Sequence, residues 1–150
     1  MSTNSKLYID DFYTWTQTTA AAIRAGKWQG IDAESLAEEL ESLGKSQQRE
    51  LASRLDVLLM HLLKWRYQPE RRQTGQSWRS TIRTQRRELR RLLAQNPGLQ
   101  QMVIAAMADS YAEARLDAAD ETDMPLATFP QSCPWTPTQI LDVDFFPEAD

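Results

Sequence analysis

The chain has 150 residues, 41% of them hydrophobic and 25% charged, with five glycines, seven prolines and one cysteine. That is the size and make-up of one folded domain spanning 1–150, with its core expected between about 8 and 147; it excludes a disordered or low-complexity polymer. The net charge of −4 and the pI near 5.1 count against a wholly basic nucleic-acid scaffold, and the single Cys133 excludes an internal disulfide.

The small net charge hides a strong asymmetry along the chain. Residues 64–91 hold ten Lys and Arg against two acids, a local +8, whereas residues 109–150 hold ten acids against Arg115, a local −9. The first ten residues lack the apolar stretch of a secretory leader, and acids arrive at Asp10 and Asp11. The longest strongly apolar run, Val57 to Leu63 around His61, falls well short of the roughly 20 residues that cross a bilayer. The expectation is a cytoplasmic protein with no membrane association.

In chain order, a first helix is expected over 10–26, capped by Asp10 or Asp11. Phe12, Trp15, Thr19 and Ile23 recur at helical steps and Gly26 closes the run. Asp32 then caps a long second helix, 32–68, with Glu34 in its first turn. Its seam of Leu36, Leu40, Leu43, Gln47, Leu51, Leu55, Leu58, Leu62 and Trp65 advances by three or four residues throughout, with Gly44 as a point where it can kink or divide. Pro69 ends it. A loop through Arg71, Arg72, Thr74 and Gly75 leads to Ser77, the expected cap of a helix over 77–96 with the seam Trp78, Ile82, Gln85, Leu89, Leu92 and Leu93. Asn96 as cap and Pro97 at the first position open a fourth helix, 97–122, burying Leu99, Met102, Val103, Ala106, Met107, Ser110, Tyr111 and Ala114. From Met124 onward come most of the prolines and a run of aromatics, too apolar for a solvated tail, so this arm is expected to pack back over the helices. Within it Thr136-Pro137-Thr138-Gln139 has the pattern of a capping box with proline at N1. No strand pattern or repeat appears, and the fold class is all-α, a bundle of about four main helices with this arm packed on it.

Several stretches, LAEELESLG at Leu36–Gly44, HLLKWRYQPERR at His61–Arg72, SWRSTIRTQRREL at Ser77–Leu89, and the closing Phe129–Pro134 and Asp144–Pro147, resemble a bacterial family common in cyanobacteria, domain of unknown function 29. The resemblance runs from about Tyr8 to Pro147. It implies an all-helical fold and no assigned activity, so no catalytic residues are carried over.

Metal-site spacings, phosphate-cradling glycine loops and nucleophile elbows are absent, so no metal and no cofactor are expected. His61 and Lys64 share a helix face, and with Glu38 or Glu39 (or Glu41) brought near they could form a general-base site. The plainer reading of His61 is a hydrogen-bonded histidine under a helix crossing, and it is preferred. Arg79, Arg83, Arg86 and Arg90 step by four, three and four residues and form one stripe, with Arg87 and Arg91 beside it and Arg71 and Arg72 extending it. Internal pairing with the acids at Glu34–Glu41 and Asp109–Asp123, plus solvation, is the preferred reading; nucleic-acid binding and an acidic protein partner are the others. All five tryptophans are expected in the core; Trp28 and Trp135 fall in linkers, where the alternative is that they cap helix ends or stay partly open for a partner. The function expected is a non-enzymatic interaction or regulatory module, pairing with itself through the long second helix or with another protein. Nucleic-acid binding through the arginine helix is the first alternative, and an enzyme centred on His61, Lys64 and a glutamate the second.

Overall fold

The helix signals read from the sequence recur in the computed structural model, which describes residues 2–73 and 76–148. Among them are six α-helices, four short 3-10 turns and no strand. The helices are α1 (Thr3–Asp10), α2 (Phe12–Arg24), α3 (Ala33–Tyr67), α4 (Gln76–Gln95), α5 (Val103–Thr122) and α6 (Pro137–Leu141). None is long and apolar enough to cross a membrane. The contacts group the chain into two compact units, Met1–Ser46 and Gln47–Asp150, and α3 contributes to both.

In the first unit, the helix expected over 10–26 is α2, capped by Asp11 and closed at Gly26, and α1 precedes it as a helix the sequence pattern did not indicate. Asp11 has extended φ and ψ of −149° and 80°, ends α1, and caps α2 by accepting from the Thr14 amide at 3.1 Å. Gly26, at φ +70°, lets the chain reverse after α2: the Lys27 amide bonds the Ala22 carbonyl at 2.8 Å and the Gly26 amide bonds Ile23 at 3.0 Å. This is the paired closure that a left-handed residue after a helix permits. Asp32 caps α3 as expected, through the Glu34 amide at 3.2 Å. Three side chains hold the elements together. Buried Asn4 donates to Thr19 Oγ1 (3.0 Å) and accepts from the Trp15 indole (3.2 Å) and the Asp32 amide (2.9 Å). Ser5 and Ser35 both donate to the Asp32 carboxylate, which holds its pKa below the ordinary carboxylate value. The core of this unit is therefore polar, with Trp15 as its one fully buried apolar side chain.

The second unit is a leucine core wrapped around the later turns of α3. Leu51, Leu55, Leu58, Leu59, Leu62 and Leu63 are buried, and adjacent pairs such as Leu58 and Leu59 point to different sides, so α3 is covered all round here. Each such side chain contributes about 1.5–3 kcal/mol relative to exposure. Ile82, Leu89 and Leu92 of α4 and Val103, Met107, Tyr111, Ala114 and Ala118 of α5 complete the core with Phe129 and Ile140 of the arm. The arm's capping box forms as its sequence indicates: Thr136 accepts from the Gln139 amide and Gln139 reaches back to the Thr136 amide, with Pro137 at the first position. Three local expectations fail. Asn96 caps no helix, because its side chain instead donates back to the Leu92 carbonyl of α4 at 3.0 Å. Residues Pro97–Met102 form a 3-10 turn, and α5 starts only at Val103. Ser77 lies inside α4, whose preceding residues Thr74 and Gly75, and the loop expected there, lie outside the described residues.

Helix α3 runs without interruption through Gly44, and a Cβ built there meets nothing within 4 Å. Glycine in an open helix interior costs up to about 1 kcal/mol relative to alanine through backbone entropy. Gly44→Ala is therefore expected to raise stability by about 0.5–1 kcal/mol in urea unfolding. An unchanged or lower midpoint would show that the helix is not regular at that position.

Candidate functional site

Helical spacing does place Arg79, Arg83, Arg86 and Arg90 along α4, but the structure divides the stripe by what faces it. Arg86 is 0% exposed. Its Nε donates to the Ile140 carbonyl at 2.8 Å and Nη2 to Gln139 at 3.4 Å, while Arg90 Nη2 donates to Leu141 at 3.3 Å. These are the last carbonyls of α6, at the negative end of the helix dipole, and the Gln139 carbonyl also accepts from the Asp142 amide at 3.2 Å. Burial lowers the Arg86 pKa to about 10, with Asp142 opposing the shift and Arg90 adding to it, so the group remains charged at neutral pH. Its guanidinium also lies 5.4 Å from the ring centroid of Phe146.

The neighbouring arginines serve the same arm. Arg72 donates to Trp65 O (2.7 Å) and Pro147 O (3.2 Å) and pairs with exposed Glu148 at 3.4 Å. Arg79 stacks over Phe146 at 4.9 Å and Trp65 at 5.5 Å. Tyr111 donates to Pro130 O at 2.5 Å, and Arg115 donates to Phe129 O and Leu126 O at 3.1 and 3.2 Å, which fixes the start of the arm. Arg83, Arg87 and Arg91 stay exposed; Arg87 and Arg91 approach Glu88 at 3.5 and 3.8 Å, with Arg54 reaching the same carboxylate at 4.0 Å. Arg71 is exposed on the turn before α4. The stripe is thus held by carbonyls, ring faces, Glu88 and Glu148, and any nucleic-acid footprint loses Arg86 to the interior. A run of arginines followed by an aromatic arm was the only advance signal of this arrangement.

His61 sits half-buried on α3. Its Nδ1 lies 2.7 Å from the Val57 carbonyl one turn back, and since a carbonyl only accepts, Nδ1 carries the proton. Burial pushes its pKa below the ordinary value, with Lys64 acting the same way and the Val57 bond and Glu121 opposing. Lys64 forms an ion pair with Glu121 of α5 and lies 5.4 Å from the Trp78 ring centroid. The glutamate beside this pair is therefore Glu121, 57 residues from Lys64 in sequence. Glu38 and Glu39 belong to the first unit, where Tyr8 donates to Glu39 at 3.2 Å. No carboxylate hydrogen-bonds the His61 ring among the described residues, and what the arrangement provides is a helix back-bond beside an ion pair. Among the described residues no three His, Cys, Asp or Glu side chains gather as a metal site.

The first unit presents a different feature. Ile9, Phe12, Tyr13, Trp28, Leu40 and Leu43 are all exposed there, Trp28 at 62%, Leu40 at 60% and Leu43 at 56%. The seam that is buried from Leu51 onward is uncovered at Leu40 and Leu43.

Two consequences can be measured. Arg86→Lys keeps the charge but loses the fork that reaches two carbonyls, each charge-assisted bond being worth about 1.5–3 kcal/mol, so a loss of about 2 kcal/mol or more is expected in urea unfolding. Exposed Arg83→Lys should stay within about 0.5 kcal/mol of wild type; equal effects at the two positions would contradict the division of the stripe. For His61 the unfolded chain takes up its proton more readily than the folded one, so the stability it allows is whole above pH 6.5 and is lost as pH falls from 6.5 towards the lower folded value. His61→Gln should flatten the pH dependence just below 6.5, and an identical slope in both proteins would assign it to other groups.

No curated protein and no solved structure matches the chain. A family described as Domain of unknown function DUF29 matches residues 7–146, nearly the whole chain. The chain belongs to this family of helical domains of unknown function.

Proposed function

We propose that this protein is an interaction module and that its docking face is the uncovered stripe on the first turns of α3. The observation that carries the reading is the exposure of Leu40 and Leu43 within a seam whose continuation is fully buried. With Leu36 and Gln47 they lie along one narrow line at steps of four, three and four, the geometry that fits another helix. Ala37 and Gly44 flank the line, and their small size lets a second backbone come close. Glu34, Glu38, Lys45 and Arg49 fall on the opposite side of the helix by the same spacing, so Leu36, Leu40 and Leu43 form an apolar line bordered by Glu39, which accepts from Tyr8, and ending at Gln47. A unit of 46 residues whose one fully buried apolar side chain is Trp15 also has little hydrophobic stabilisation of its own, which favours a partner. The partner that needs no further assumption is a second copy, because an apolar stripe is complementary to itself about a two-fold axis. A cytoplasmic setting goes with this reading, since one cysteine leaves the chain no internal disulfide.

Sedimentation equilibrium tests it. The wild type should associate reversibly, and the double variant Leu40→Glu, Leu43→Glu should raise the dimer Kd by about a hundredfold or more, as burying each leucine is worth about 1.5–3 kcal/mol. Helical circular dichroism should be retained, since neither side chain is in a core. A wild type that stays monomeric at all concentrations overturns the self-pairing, and specific capture of one other protein, lost in the double variant, would replace it.

A further inference from the structure

A recess of about 330 Å³ opens on the second unit, lined by Trp65 at the end of α3, Arg72 and Gln73 after it, and Arg79 on the first turns of α4. Three features of its lining point the same way. The Trp65 indole N–H is buried and has no acceptor, one of two such side-chain atoms among the described residues. A buried donor left unpaired is costly, and native structures leave few. The Arg79 guanidinium is fixed by its faces, over Phe146 and Trp65, and none of its edge N–H groups meets a protein acceptor among the described residues. A face-stacked guanidinium with open edges is pre-organised to receive an oxyanion in the plane of the fork. Arg72, 5.1 Å from the same indole, adds a second positive charge. Among the described residues no carboxylate lines the recess, and Glu148, which pairs with Arg72, has a side chain that is 81% exposed.

We infer that this recess binds a phosphate group, held between Arg79 and Arg72 with the Trp65 indole as an additional donor. Two guanidinium groups face the recess, and Glu148, which pairs with Arg72 at 3.4 Å, does so from an exposed side chain that an entering phosphate dianion displaces. The recess accommodates a single small phosphate compound, and its four lining residues do not extend into the track that a nucleic-acid backbone needs. This site is independent of the apolar stripe on the first unit.

The test uses the full chain labelled with nitrogen-15, with the Trp65 indole resonance assigned by its loss in Trp65→Phe. Inorganic phosphate, acetate and chloride are titrated separately at matched ionic strength. Phosphate should shift the Trp65 indole saturably with a Kd of about a millimolar, and chloride should not. Arg79→Gln should raise that Kd at least about tenfold with the helical circular dichroism retained at the titration temperature, while Arg83→Gln, one turn along the same helix, should leave it as in the wild type. No saturable shift, an equal response to chloride, or unaltered binding in Arg79→Gln would overturn the site. Tighter binding of acetate than of phosphate would overturn the phosphate assignment.

Discussion

A guanidinium with no exposure to solvent must find other partners for its charge and its donors, because the cost of removing an ion from water is several kcal/mol even after relaxation. Arg86 finds most of them in the carbonyls of Gln139 and Ile140, in the Phe146 ring face and in the field of Asp142, while its buried Nη1 has no hydrogen-bond partner among the described residues. The dependence is mutual. Helix α6 is only five residues long, too short to be stable alone, and α4 supplies cations to its terminal carbonyls. Once α6 is seated, Ile140 enters the core, and Phe146 comes to lie against Trp65 at 4.9 Å. The basic helix and the aromatic arm are thus one structural device, with Tyr111 and Arg115 holding the arm's other end from α5.

What periodicity encodes was legible, and what depends on distant partners was not. The long seam of α3, the amphipathic α4, the reversal at Gly26 and the Thr136 capping box all follow from local rules about spacing, φ and orphan amides. Helix α1 did not, because its buried contact is Asn4, a polar side chain that leaves no apolar stripe to read. Asn96 shows the ambiguity of a single cap residue: its amide can serve the helix behind as readily as the one ahead, and here the Leu92 carbonyl takes it. At the sites, helical spacing put the arginines along α4, but it gave no sign that Arg86 would be buried while Arg83 and Arg87 stay exposed. It could not place the carbonyls of residues 139–141 opposite α4 or Glu121 beside Lys64, since each lies more than fifty residues away in the chain.

The two halves of the leucine seam show how one local pattern serves two ends. From Leu51 on, neighbouring elements cover it and the apolar area becomes stability. Before that, the same spacing leaves Leu40 and Leu43 in solvent while the unit they belong to is ordered by hydrogen bonds converging on Asn4 and Asp32. Such a polar core specifies geometry more than it stabilises. Identical periodicity therefore carries a fold in one place and an available surface in the other.

The manner in which the arginines are satisfied also sets the electrostatics of α4. Carbonyls and ring faces complete hydrogen bonds and accept cations, but they carry no formal charge. The arginines bound in this way keep their charge, whereas carboxylates do answer other cations of residues 64–91: Glu121 at Lys64, Glu88 at Arg87 and Arg91, and the exposed Glu148 at Arg72. Hydrogen-bond satisfaction and charge neutralisation, often treated as one requirement, are here separated. The result is a rigid, positively charged face on a chain whose net charge is −4, with Arg79 and Arg72 held in place by aromatic rings at the point where that potential meets an open recess.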